Sequence, residues 1–211
     1  MSLAPEASPK TFEEQKYEVF PSHLCQPLLL GEIFGNDHPV EIDLGSGSGK
    51  FLIETGLRYP ERNFLGVERL LGRVRKTRRK ACHGSLANVR VLRVEIDYAV
   101  RHLLLPNSIS RFHLSFPDPW PKRRHHTRRL VDGEFLDAIS AALEPNGELW
   151  IKTDHVEYFR WIEKTAALAL TTFAEAPWEN EYPNTDFDET FAAENAPIYR
   201  LRLRKVIRSP R

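Results

Sequence analysis

Four places in the chain put a carboxylate where a ligand could meet it. Asp43 ends the apolar run VEIDL and precedes Gly45-Ser46-Gly47-Ser48-Gly49. Glu68 closes NFLGVE, Glu95 and Asp97 follow VRVLRV, and Asp118 lies between two prolines in Phe116-Pro117-Asp118-Pro119-Trp120. Glycine lets a backbone turn tightly and lie against a ligand. The spacing Gly45-x-Gly47-x-Gly49 is not the G-x-G-x-x-G of a dinucleotide turn, and it lacks the Lys-Ser/Thr of a phosphate-binding P-loop. A carboxylate just ahead of such glycines suits the amino-acid end of S-adenosylmethionine (SAM). Glu68 can accept hydrogen bonds from both ribose hydroxyls. An acid after the third strand can bond the adenine amino group; Glu95 is the preferred candidate and Asp97 the alternative.

Asp118 stands apart from the other three. Pro117 and Pro119 fix the backbone on both sides, so its carboxylate is held rigidly. Lys122, Arg123, Arg124, His125, His126, Thr127, Arg128 and Arg129 follow close behind. Cations at this density suit phosphate oxygens, and Trp120 can serve both packing and stacking on a base. No further His, Cys or Asp cluster accompanies His125 and His126, so they are expected as phosphate-facing donors, with no metal site. Asp154, at the end of ELWIKTD, is another acid aimed at the same crevice. Taken alone, Thr185-Asp186-Phe187-Asp188 reads as an acidic loop that aids solubility. No Ser-His-Asp or Cys-His set for covalent catalysis is evident.

These groups converge only if strand and helix alternate between them, and from Val40 they do. VEIDL, NFLGVE, VRVLRVEI, RFHLSF and ELWIKT read as strands. Gly49–Tyr59, Asp132–Leu143 and Val156–Leu170 carry apolar residues at helical spacing, and Leu70–Cys82 reads as a basic helix. Pro145-Asn146-Gly147 is expected to stop the Asp132 helix. TFAEAPWE and IYRLRLRKV should close the sheet, and the alternation in the latter suits an antiparallel strand. The expected fold class is α/β: a Rossmann-like, mostly parallel, doubly wound sheet of the class I SAM-dependent methyltransferase kind, with a closing antiparallel strand. Ligands in such sheets sit beyond the carboxyl ends of the strands. Residues 1–35 are expected as an N-terminal extension, mobile to about residue 15 and then a short helical cap over Tyr17–Phe34. Residues 36–211 are expected as a single domain.

Composition narrows the class further. With 211 residues, 41% hydrophobic and 28% charged, the chain can bury a continuous core without disulfides, which excludes wholesale disorder. No apolar stretch is long enough to span a membrane, and MSLAPEASPKTFEEQ lacks the apolar segment of a secretory signal. Cys25 and Cys82 make no disulfide framework, so a reducing cytoplasm is expected. The net charge of +1 hides a segregation. Basic residues crowd Arg69–Lys80, Trp120–Leu130 and the tail from Arg200, whereas Thr172–Glu194 holds acids and no base. Such asymmetry predicts a polyanionic partner despite the neutral sum.

Together, DLGSGSG, GVE, FPDPWPKRRHHTRRL, IKTD and TDFD…PIYR, in this order from about Val40 to Lys205, resemble the bacterial tRNA (guanine-N7-)-methyltransferases. The Pro-Asp-Pro-Trp-Pro-Lys loop is the most specific element. The resemblance implies methyl transfer from SAM to N7 of a guanine in the tRNA variable loop. It places Asp43, Gly45, Gly47, Gly49, Glu68, Glu95 and Asp118 at the SAM site; Asp118, whose carboxylate can orient the base near the methyl, is the expected catalytic residue. It places Lys122, Asp154, Thr185, Asp186, Phe187 and Asp188 at the acceptor, and Arg124, His125, His126, Thr127, Arg128 and Arg129 against RNA. The implied partner is tRNA, with no membrane, no metal and no obligate protein partner; a monomer or a homodimer fits. Three positions depart from the family pattern: Asp43 and Asp188 where Glu is usual, and Asn195 near a usual glycine, a turn that Asn tolerates. The chemistry suits the residues, because guanine N7 carries a free lone pair and needs positioning rather than a strong base. Three other classes compete: a SAM enzyme with another acceptor, a noncatalytic RNA-binding protein on the same scaffold, and a dinucleotide-linked oxidoreductase.

Overall fold

The computed structural model describes residues 13–168 and 173–206. The expected mobile start falls mostly on residues outside this range, as do Leu170 at the end of the expected fourth helix and Arg208 and Arg211 of the basic tail.

An eight-stranded sheet organises the chain. Its strands are β1 (Glu18–Val19), β2 (Val40–Leu44), β3 (Asn63–Val67), β4 (Val89–Leu92), β5 (Ile109–Ser115), β6 (Leu143–Thr153), β7 (Phe173–Ala176) and β8 (Tyr199–Lys205), in the spatial order β1-β4-β3-β2-β5-β6-β8-β7. The first six strands are parallel to their neighbours; β8 is antiparallel to both β6 and β7. Central strands buried on both faces read as continuous apolar runs, and every residue of β2 and β3 is buried. This is the doubly wound sheet that the strand–helix alternation predicts.

Among the described residues seven α-helices of five residues or more complete the layers: α1 (Leu30–Phe34), α2 (Lys50–Arg58), α3 (Leu71–His83), α4 (Ile96–His102), α5 (Gly133–Ala142), α6 (Val156–Leu168) and α7 (Asp186–Ala193). α2 packs on α3, while α4 packs on α5 and α5 on α6. The core divides accordingly. Leu52, Phe64, Ala81, Leu86 and Val89 fill one cluster, and a larger one gathers Ile42, Leu44, Leu65, Phe112, Phe135, Ile139, Leu149 and Ile162. No helix among the described residues is long and apolar enough to cross a membrane.

Chain direction reverses at β2. The path runs outward through β3 and β4, then returns to β5 on the other side of β2. The crevice at that switch point is the expected ligand site of such a sheet.

Several local expectations need correction. The third strand stops at Leu92, because that is the last residue β3 and β4 pair; Ile96 already begins α4, with Glu95 as its N-cap. Tyr17–Phe34 is not one helix: Glu18–Val19 pairs with β4, and only Leu30–Phe34 is helical. Leu143 already pairs with Ile109, so Pro145-Asn146-Gly147 lies within the β6 span rather than at a helix end. Residues 186–193 form a helix rather than an acidic loop.

Beneath the segment carrying Trp178 and Tyr182 the sheet buries charge. Glu41, 2% exposed, accepts from His113 Nε2 at 2.7 Å, Arg62 at 2.8 Å and the Tyr182 hydroxyl at 2.8 Å. Burial alone would raise its pKa, but His113 and Arg111 hold it at about 2. Glu148 takes both Arg202 and Arg204. Arg111 lies 3.6 Å from Glu41 and 3.2 Å from Glu148, so β2, β5, β6 and β8 form one frame.

Candidate active site

The glycine turn is strapped to the neighbouring strand. Gly45 and Ser46 donate their backbone N–H groups to the Val67 carbonyl at 2.9 and 3.1 Å. Gly45 and Gly47 hold left-handed backbone, with φ of 85° and 54°, a region open to glycine at no steric cost. Gly49 shares this conformation, with φ of 74°, and meets a second constraint. A Cβ built on it would stand 2.7 Å from Thr77 Cγ2 of α3, so it permits the close approach of α2 and α3.

Glu68, just past β3, is buried. One carboxylate oxygen accepts from Gly47 N–H at 3.1 Å and the other from Leu70 N–H at 2.8 Å. Arg73 lies 3.5 Å away. A carboxylate offers about four lone-pair sites, so both oxygens retain capacity for a ligand. Asp43 is also buried. Burial raises its carboxyl from 3.8 to about 7; Lys152 opposes the shift and Glu68 adds to it.

Around these groups opens a cleft of about 850 Å³, within the range of small-molecule sites. Asp43, Gly45, Gly47, Glu68, Glu95, Asp97 and Asp118 all line it; Gly49 does not. Glu95 and Asp97 both reach the wall, each beside a cation: Arg69 lies 3.5 Å from Glu95, and Arg101 donates to Asp97 at 2.7 Å.

Asp118 is exposed within the cleft, on a constrained loop. Phe116 and Trp120 have φ of 54° and 43°, a left-handed backbone that costs non-glycine residues roughly 1–3 kcal/mol and persists only where its surroundings enforce it. Those surroundings are visible. Phe116 N–H donates to the Lys152 carbonyl at 2.7 Å, and its ring meets Phe187 and Phe191 of α7. Trp120 meets the His125 ring edge-on and carries the Arg128 guanidinium over its face at 5.1 Å.

The basic residues beyond Asp118 separate into distinct settings. Arg123–Arg128 form a 3₁₀ turn, with Lys122, Arg123, Arg124, Thr127 and Arg128 exposed. Thr127 and Arg128 line the cleft; Lys122 and Asp154 do not. His126 packs near Trp161. Arg129 is only 6% exposed. Its Nε donates to the Pro119 carbonyl at 3.0 Å, and its guanidinium covers the Tyr158 and Trp161 rings. It is therefore part of the frame that shapes the loop, with little surface to offer a phosphate.

α7 supplies the remaining wall. Thr185 caps it, and Asp188 completes a reciprocal capping box. Thr185, Asp186 and Phe187 line the cleft, while Asp188 is turned inward, 4% exposed, and pairs with Lys152. Ser48 of the glycine turn bonds Asp186, and Lys50 pairs with Glu189. Sequence reasoning missed Lys152 and Ser48, because their partners lie far along the chain. The Thr185–Asp188 spacing of the capping box was a readable signal. Among the described residues no group of three His, Cys, Asp or Glu side chains is placed to hold a metal.

Comparison with known proteins agrees with this geometry. Residues 37–201 match the family described as "Putative methyltransferase". The chain is 32% identical over 188 residues to a tRNA (guanine-N(7)-)-methyltransferase of Enterococcus faecalis, covering 83% of this chain and 84% of that protein. It is 36% identical over 151 residues to the one of Thermotoga maritima, 71% of this chain but 48% of that relative's length. Among solved structures, the aminoglycoside resistance methyltransferase NpmB1 superposes with a TM-score of 0.59 at 19% identity, covering 84% of this chain and 92% of that one. An rRNA methylase from Streptococcus thermophilus does so with a TM-score of 0.55 at 16% identity, covering 97% and 100%; at such identities the likeness concerns the fold. From the family match and the extent of the curated relatives, this chain belongs to the tRNA (guanine-N7-)-methyltransferase family.

Proposed function

We propose that the protein transfers a methyl group from SAM to N7 of a guanine in the variable loop of tRNA. One observation carries the reading: the glycine turn with its Glu68 clamp and the rigid Asp118 loop open into a single cleft whose rim is basic. The residues fit SAM. Gly45 and Gly47 leave backbone free of side chains, Glu68 keeps acceptor capacity for ribose hydroxyls, and Asp43 suits the methionyl ammonium. Glu95 would bond the adenine amino group, with Asp97 as its alternative. SAM, when bound, supplies a methyl activated on a sulfonium.

The remaining work is placement. Guanine N7 offers a free lone pair, so no proton need leave it. Asp118 grips the two N–H donors of the Watson–Crick edge and, as a carboxylate, stabilises the positive charge that develops on the ring. Asp154, Lys122 and the α7 wall at Thr185–Phe187 assist in holding the acceptor; Asp188 acts from behind through Lys152. Arg124, His125, Thr127 and Arg128 meet RNA phosphates, which fix register rather than sequence. The methyltransferase domain is residues 36–211, and it works in the cytoplasm without a metal.

The test is incubation of the protein with labelled SAM and total unmodified tRNA, followed by mapping of the labelled nucleoside. Label in 7-methylguanosine of the variable loop supports the reading. Label at another nucleoside, or none, refutes it.

A further inference from the structure

Helix α3 carries more positive charge than the cleft uses. Seven basic residues and no acid stand between Arg69 and Lys80. Val74, Thr77 and Ala81 face the core, so helical spacing turns Arg75, Lys76 and Arg79 to solvent, and all three are exposed. Lys76–Lys80 and Arg75–Arg79 are i,i+4 pairs of like charge, and each such pair destabilises a helix. A helix face kept only for solubility gains by interleaving acids. Elsewhere on this segment the cations are engaged: Arg69 with Glu95, Arg73 with Glu68, Arg78 with Glu14 and Glu18, and Lys80 with the Ser48 carbonyl. Among the described residues Arg75 and Lys76 have no acid in ion-pair reach, and Arg79 meets Glu14 only at 3.7 Å.

Position gives the surplus a use. Arg69 and Arg73 line the cleft, as do Thr127 and Arg128. The former follow β3 and the latter follow β5, so they flank the β2 glycine turn from opposite sides. Just beyond Arg73 the unmatched cations run from Arg75 to Arg79, about 6 Å along α3 at 1.5 Å per residue. We infer that Arg75, Lys76 and Arg79 form a second RNA-backbone surface. It holds phosphates of the same tRNA whose guanine enters the cleft, on the side away from the 3₁₀ turn. This inference rests on tRNA being the substrate.

The test compares wild type with R75Q/K76Q/R79Q, whose glutamines keep helix propensity. Unmodified tRNA should bind about tenfold more weakly at physiological salt, and the slope of log affinity against log salt should fall by about 2, for three lost phosphate contacts. SAM affinity and the rate at saturating tRNA should stay at wild-type values, which also shows that the variant is folded. The conservative R75K/R79K should keep both affinity and slope. Wild-type affinity and slope in the triple variant, or loss of slope in R75K/R79K, overturns the inference. A wild type that makes no 7-methylguanosine overturns the functional reading instead, and the salt slopes of wild type and variant still decide whether α3 holds phosphate.

Discussion

Arg129 donates through Nε to the carbonyl of Pro119, the residue after Asp118, at 3.0 Å. The contact joins a buried cation to the loop that carries the exposed carboxylate. A displacement of 1 Å at a reacting centre can cost about a hundredfold in rate. Arg129→Ala should therefore lower single-turnover methylation by about 10- to 100-fold and also lower the melting temperature. Arg129→Lys should not restore the rate, because an ammonium cannot both lie flat on Tyr158 and Trp161 and reach the carbonyl. Full rescue by lysine would mean that charge alone matters.

Asp118 should behave differently. Asp118→Ala removes the carboxylate proposed to hold the acceptor and should leave the fold intact, since the side chain is exposed. The single-turnover rate should fall by about a hundredfold or more, within the range of lost charge-stabilising groups, with only a modest loss of tRNA affinity. A variant with near-wild-type single-turnover rate would show that Asp118 does not orient the base.

Asp43 predicts a pH dependence of cofactor binding. Its carboxyl is raised to about 7 by burial, whereas the proposed pairing with the methionyl ammonium requires the ionised form. SAM affinity should rise from pH 6 to pH 8 and then level off. Near pH 6.5 binding should release protons, visible by calorimetry in buffers of different ionisation enthalpy. Stability has the opposite sign. The folded pKa lies above the ordinary 3.8, so the fold takes up a proton, and this contribution to stability declines as pH rises from about 4 to 7. Asp43→Asn should weaken SAM binding and flatten both dependences.

The buried Lys152–Asp188 pair links β6 to α7. Removing one partner leaves an uncompensated charge, at a cost of about 3–5 kcal/mol. Lys152→Met should thus be strongly destabilising in urea unfolding. The double variant Lys152→Met/Asp188→Leu should recover part of the loss, because an apolar pair of similar volume is often neutral, while the lost capping-box acceptor for Thr185 keeps recovery incomplete. Additive losses in the double variant would show that the two side chains act independently.

What the sequence reveals follows how local each signal is. Asp43 and its glycines, Glu68 and the Asp118 loop are contiguous motifs at strand ends, and the cleft gathers all of them except Gly49. The third strand was extended too far because Val94 and Ile96 continue the alternation of VRVL, whereas the strand's length is set by β3, which offers no partner past Val67. α7 was obscured by its acids, although Thr185 and Asp188 spell a capping box. Lys152 was invisible in kind: a lysine in a strand reads as solvent-facing until a partner 36 residues away is folded onto it. Arg129 looked like one cation among many, and only the aromatic rings from α6 set it apart.

The placement of β8 between β6 and β7 bears on how the molecule is assembled. Synthesis delivers β7 first, when its sheet neighbour among the described residues has not yet been made. α7, with the wall residues Thr185, Asp186 and Phe187, emerges between two strands that are still apart. The glycine turn and the Asp118 loop can already be in place on the growing chain, but the cleft stays open on one side until the seven residues of β8 slide between their neighbours. Completion of the cleft wall thus waits on β8, which follows α7 in the chain.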